Sequence, residues 1–334
     1  IFFNSTLYAV SLKISEVEVS EKFDLNFNKK KVFDKAFKKA FFQLSKMIID
    51  SQNQKKLQTT SLNEIKSLIN SFIIRNEKFI NDEYFATFNV NFNRKNTYNF
   101  FEKKNIFPSV PKKISLLLIP VLIEIDNNQL ITFSDNIVYK NWNKELSTSD
   151  LIHYILPTED IEDIEILSAN VKELEDYDFK EIVKKYDISN YIIAILHKDK
   201  KNVKILSKIK INENLKTINT IYPSVNFSNE DSLKKFIKEL KIIYEDNWKN
   251  LNKINTSIKL PLTISLKSND HEKIKLFEKA MEKLDLVFSF KIISFDNQNI
   301  LYKIIYNGSP NNFIKDMNSE KISIVKNNQL WEVK

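Results

Sequence analysis

The sequence predicts a multi-domain chain of α/β and α+β modules, ending in a C-terminal ferredoxin-like βαββαβ domain with one extra strand. Three observations predict it. Stretches that alternate apolar and polar residues, as half-buried strands do, interleave with stretches whose apolar residues recur every three or four positions, as in helices. The segment from residue 257 onward runs strand, helix, two strands, short helix, hairpin, which is the ferredoxin-like order with an added strand. The turns are written in asparagine, because the 334 residues hold one glycine, Gly308, where average usage gives about 23.

The first module spans 10–107. Val10 to Val19 alternates as a strand, and Val32, Phe33, Ala36, Phe37, Ala40, Phe41, Leu44, Met47 and Ile48 have helical spacing over Lys30 to Asp50. Leu62, Ile65, Leu68, Ile69 and Phe72 predict a second helix, Tyr84 to Phe92 a strand, and Tyr98 to Lys104 a short helix. Pro108 to Pro111 reads as a linker. The central module, 111–227, opens with the apolar strand Ile114 to Ile125 and an Asn127-Asn128 turn. After Trp142 comes the acidic stretch Leu156 to Asp163. Asp178 is placed to cap a helix ending near Tyr186, followed by strands at Tyr191–His197, Val203–Ile211 and Leu215–Tyr222. Ser228 or Asn229 caps a long connecting helix assigned to 228–256. In 257–334 the strands are Leu260–Leu266, Leu286–Phe295 and Ile300–Tyr306, with a helix at Asp270–Leu284 and a short one after Gly308. A hairpin over Asn327-Asn328 closes the chain, and Gly308 is expected to turn strand into helix with φ > 0.

Composition excludes several functions. One glycine cannot write a P-loop, a dinucleotide fingerprint or a nucleophile elbow. No cysteine means no disulfide, thiolate metal site or thiol nucleophile. The net charge of +8 and pI near 9.1 would fit nucleic acid. The lysines, however, are scattered beside acids, and Arg75 and Arg94 are the only arginines, so no nucleic-acid partner is expected. No cofactor or metal is expected either. Residues 1–9 read as the remnant of a signal peptide cut near Ala9, which predicts a periplasmic protein. No other segment is long and apolar enough to span a membrane: Ile114–Ile125 is short and holds Pro120 and Glu124.

Several landmarks together resemble an exported proteobacterial family catalogued as domain of unknown function 2066. They are a helix paced by Ala36, Ala40 and Leu44, the strand Ile114–Pro120, and Leu156-Pro157-Thr158-Glu159-Asp160-Ile161-Glu162-Asp163. With them go Trp142, Trp248 and Trp331, and Tyr306-Asn307-Gly308 followed by Phe313 and Met317. The arginines common in that family's first helix are absent, with Lys35, Lys38 and Lys39 nearby, and the fuller Pro-Trp pattern before Trp142 is missing. The resemblance implies export and architecture, without an activity. The first two modules are also similar to small N-terminal domains of envelope-assembly proteins such as FlgT and TolB.

Among chemical candidates, Asp160 and Asp163 lie three apart and share a helix face, where acids cap and complement the helix dipole. A hard-cation site on Glu159, Asp160, Glu162, Asp163 and Glu165 with His153 is the competing expectation, as a metal-dependent hydrolase or metal-binding protein. His153, His197 and His271 form no metal-spaced pair. The tryptophans are expected in cores. With no catalytic constellation, the expected function is a non-enzymatic periplasmic accessory or scaffold protein that binds envelope proteins.

Overall fold

A computed structural model describes residues 7–8, 11–144, 150–200, 202–327 and 330–334; residues 1–6 and Ala9, where the signal-peptide cut was expected, lie outside them, as does Asn328 of the expected closing turn. The backbone forms two compact units: Ile1–Pro111 together with Lys249–Lys334, and Lys112–Trp248. The N- and C-terminal modules, expected as separate domains, therefore share one unit, and the long helix belongs mostly to the other. The expected Pro108–Pro111 linker makes an isolated antiparallel bridge. Ile254 N donates to Pro108 O at 2.8 Å, Val110 N donates to Asn252 O at 3.0 Å, and Ser109 bridges Lys253 antiparallel.

The N-terminal part of the first unit runs β1 (Leu7–Tyr8), β2 (Ser11–Lys22), α1 (Lys29–Ile48), α2 (Ser51–Gln54), α3 (Leu62–Leu68), β3 (Ile69–Ile80), β4 (Glu83–Asn93) and α4 (Arg94–Lys103). Asn28 caps α1, accepting from Lys30 N, and Ser61 with Glu64 makes a capping box for α3. Helix α1 lays Val32, Ala36, Phe37, Ala40, Phe41 and Leu44 into a core with Tyr84, Phe88, Val90 and Phe92 of β4. The alanines at four-residue steps let the helix approach the sheet closely. The sheet order is β2-β4-β3, all antiparallel. Strand β3 is a correction: the expected second helix ends at Leu68, and Ile69 to Phe72 start a strand.

The second unit runs β5 (Ile114–Glu124), β6 (Gln129–Ile131), α5 (Ile137–Trp142), β7 (Ile152–Ile155), α6 (Ile161–Ala169), α7 (Lys180–Lys184), β8 (Tyr191–Lys198), β9 (Asn202–Ile211), β10 (Asn214–Pro223) and α8 (Glu230–Leu251), the last leaving the unit after Trp248. Strand β5 is buried from Leu116 to Ile123, which is why it reads as a continuous apolar run. It pairs parallel with β8 along one edge. Along the other it pairs parallel with β7 at one end and antiparallel with β6 at the other. Leu117, Ile119, Val121 and Ile123 form one core with Leu167 of α6 and Ile182 and Val183 of α7. Strands β9 and β10 extend the sheet antiparallel, giving the order β10-β9-β8-β5. Asp178 stands one residue outside the expected cap position: Phe179 is the N-cap of α7, and Asp178 Oδ1 accepts from Lys180 N.

The C-terminal part of the first unit contains β11 (Leu260–Lys267), α9 (His271–Lys283), β12 (Val287–Phe295), β13 (Asn299–Tyr306), α10 (Pro310–Ser319), β14 (Ile324–Asn327) and β15 (Leu330–Val333). The sheet order is β1-β12-β13-β11-β15-β14, and β15 runs parallel to β11. The chain as a whole is mixed α/β and α+β. Gly308 does not have the expected positive φ; Asn81, Asp82, Asn105, Asn128, Asp187 and Asn212 occupy left-handed turns in glycine's place. Gly308 is a glycine for a different reason: a Cβ there would lie 2.7 Å from Cε1 of Tyr306, whose ring is fully buried.

Candidate protein-binding edges

The landmark residues are structural. Ala36 and Ala40 are fully buried in α1. Trp142 is fully buried, edge-on to Tyr154 at 5.3 Å between ring centres. Trp248 donates from Nε1 to Lys112 O at 2.7 Å, and Trp331 packs edge-on to Phe313. Pro157 O accepts from Tyr139 Oη at 2.6 Å. No tryptophan stands out as an interface anchor, since each is buried.

The acidic stretch resolves into a cap and an ion cluster. Asp160 is the N-cap of α6, accepting from Glu162 N at 2.9 Å. Lys185 reaches across with its Nζ 3.0 Å from Asp160, 2.8 Å from Glu162 and 2.7 Å from Asp163, whose side chain is fully buried. Hydrogen bonding to Lys185 holds the Asp160 carboxyl below its ordinary range, and the Lys185 ammonium is pushed well up, first by Asp163. The carboxylates expected to gather around a cation thus converge on an ammonium. Among the described residues no group of three His, Cys, Asp or Glu side chains could hold a metal ion. His153 and His197 stand on β7 and β8, opposite Ser115 and Ile123 of β5. Eight residues of strand separate those two positions along β5, about 26 Å. His197 Nε2 meets Glu175 at 2.9 Å, and His271 is exposed at the start of α9.

Among the long edge strands of the described residues, β3 in the first unit and β10 in the second expose large apolar side chains, whereas β2, the other edge of the β3 sheet, does not. Among the described residues β3 hydrogen-bonds a neighbour on one side only. It is exposed along most of its length, including Phe72, Ile73, Phe79 and Ile80. Nearby, an open cleft of about 450 Å³ is lined by Phe37, Lys66, Ile69, Asn70, Ser71 and Phe72. The strand is fixed on its inner side. Glu77 takes Lys29 Nζ at 2.7 Å and the hydroxyl of Tyr84, and the Lys29 bond holds the Glu77 carboxyl low. Asn91 Nδ2 donates to Ser71 Oγ at 3.0 Å, and a bulge at Arg75 interrupts the ladder with β4. A row of unpaired backbone groups flanked by apolar side chains is a template for another strand. Sequence reasoning missed this edge because it missed β3. The run Ile69 to Ile74, rich in β-branched and aromatic residues, was the available signal.

Strand β10 is the second edge. It pairs without a bulge with β9 over all ten residues and, among the described residues, has no neighbour on its other side. Leu215 and Ile221 are its exposed large apolar side chains.

No protein-family model matches the chain, and no curated protein matches it. No helix of the described residues is long and apolar enough to cross a membrane.

Proposed function

We propose that this chain is a non-catalytic protein-binding accessory or scaffold of the cell envelope, exported to the periplasm and akin to the family it resembles. The observation that carries the binding reading is the β3 edge. Among the described residues, twelve residues of strand have no partner on one side, with Phe72, Ile73, Phe79 and Ile80 exposed and a cleft at the strand's N-terminal end. Strand addition takes affinity from main-chain hydrogen bonds and specificity from such side-chain pockets. Export rests on the Ile1–Ala9 pattern, and the family assignment on the sequence landmarks. The order β12-β13-β11-β15 supports a ferredoxin-like reading of the C-terminal sheet, with a hairpin in the fourth-strand place and β15 parallel to β11.

A photo-crosslinking amino acid placed at Asn70 or Lys78, exposed positions of the same strand, tests the reading in living cells. The expected result is a discrete envelope-protein adduct, reduced about tenfold by the double variant Ile73→Lys/Phe79→Lys, which loses two edge contacts. Circular dichroism of the purified variant checks that it folds. Absence of any discrete adduct at both positions overturns the proposal.

A further inference from the structure

We infer that β10 pairs antiparallel with β10 of a second copy of this chain, about a two-fold axis through Ile218. This surface is separate from the β3 edge. The first ground is geometric. Because β10 meets β9 in unbroken register from Asn214 to Pro223, its side chains alternate faces without interruption. Residues related by a two-fold at Ile218 then always share a face, since side chains two apart along a strand point the same way. Strand β3 cannot do this, because its bulge at Arg75 shifts the alternation midway.

The second ground is the pattern of side chains. Read outward from Ile218, Thr217 would face Asn219, Lys216 would face Thr220, and Leu215 would face Ile221 of the other copy. Leu215 is 68% exposed and Ile221 66%, and they stand at equal distances from the centre. Self-pairing therefore buries each against the other, on the same face and in both halves of the seam. Isologous contacts require such self-complementarity.

The third ground is charge. A chain with 51 basic and 43 acidic side chains carries a net positive charge that repels its own copy on average. At this seam Lys216, the only charged residue of β10, opposes a threonine. On the outer face Lys204, Lys208 and Lys210 belong to β9, opposite Ile221, Thr217 and Leu215, so they remain one strand back from the seam. Lys208 is further tied to Tyr177 O, and Lys210 lies over the Tyr191 ring. No like charges face one another across the new ladder. The seam from Asn214 to Tyr222 is about 30 Å long and one strand wide on each side, which places it at the small end of specific interfaces and predicts a reversible dimer rather than an obligate one.

The chain has no cysteine, so single cysteines report the register directly. Leu215→Cys mixed with Ile221→Cys should give disulfide-linked dimer at least about fivefold more readily than either variant alone, because only the mixture brings the two positions opposite. Sedimentation equilibrium of the unmodified chain should show a monomer–dimer equilibrium. Leu215→Lys should weaken it about tenfold while the circular dichroism spectrum stays unchanged, by setting a charge against an apolar partner at both ends. Equal crosslinking by the single variants and the mixture overturns the proposed register. A chain that stays monomeric to about 1 mM, or β10 cysteines captured by a different envelope protein, overturns self-pairing and leaves the β3 proposal standing.

Discussion

A methyl group on Gly308 would sit 2.7 Å from Cε1 of Tyr306. That ring has little freedom to move. Its hydroxyl donates to Asp316 at 2.6 Å, and its ring meets that of Phe313 edge-to-face with centres 5.1 Å apart. Burial, with the Asp316 contact second, pushes the phenol far above its usual range, so the donor stays protonated. Gly308 is thus a matter of space rather than of backbone angle, and the two accounts separate by experiment. Asparagine is well tolerated in left-handed turns, and this chain uses it there repeatedly. If φ were the constraint, Gly308→Asn would be close to neutral. Crowding instead predicts that Gly308→Ala, Gly308→Asn and Gly308→Val all destabilise, the last by about 1–3 kcal/mol, the usual range for overpacking. Urea denaturation of the three variants checks this. A neutral Asn variant would overturn the crowding account.

Between elements, Arg94 does what a glycine-poor, arginine-poor chain has few means of doing: it ends a helix by charge. The residue opens α4 and is 3% exposed. Its Nη1 donates to Leu284 O, the cap of α9, and to Val287 O at 3.4 Å, while Nη2 lies 3.6 Å from Asp285. A cation at a helix C-terminus complements the dipole, and the guanidinium fork serves several acceptors at once. Arg94→Met should cost about 2–3 kcal/mol, the worth of losing charged hydrogen bonds from buried carbonyls. Arg94→Lys should recover only part, and calorimetry of both variants measures it; equal melting of all three chains would contradict this role. Such long-range contacts were not legible in the sequence, whereas the elements they join largely were. Helices α1 and α8 stand out because their buried faces repeat with a clear period, and strand β5 because its apolar run is unbroken. Strand β3 was misread because Ile65, Leu68, Ile69 and Phe72 continue a helical spacing past Leu68, and only the ladder with β4 stops the helix. That misreading hid one candidate edge. The other lay in plain view, since β10 was predicted from Leu215 to Tyr222, but that it has no outer neighbour among the described residues is a property of the sheet order. Likewise Asp160 and Asp163 were placed on one helix face, while Lys185, 22 residues beyond Asp163, carried no signal of joining them.

At the scale of the whole molecule, carboxylates set an acid limit on stability. Asp50, Glu64, Glu77, Asp270 and Asp296 in the first unit, and Glu124, Asp160, Asp178 and Glu230 in the second, are all held below their ordinary values. For Asp50 burial works the other way, and the Asn53 and Lys253 contacts outweigh it. A carboxyl with a depressed folded pKa binds protons more readily when unfolded. Its contribution is complete above the unfolded pKa, near 4, and disappears as pH falls through the lower folded value. Asp285 has the opposite sign: burial raises it, so its contribution is present in acid and lost as pH rises through its raised value. One group against nine leaves the acid loss dominant. Charge works in the same direction, because neutralising 43 acidic groups leaves 51 basic ones to repel one another. The urea midpoint should therefore stay nearly level from about pH 5 to 8 and fall steeply below about pH 4. Lys185→Met removes the partner that depresses Asp160 and leaves buried Asp163 without its countercharge. That variant should be less stable at neutral pH and lose less on acidification, so the two midpoint curves converge toward pH 3. Parallel curves would show that the Lys185 cluster contributes nothing to the acid limit, and a level curve for the unmodified chain down to pH 3 would contradict the limit itself.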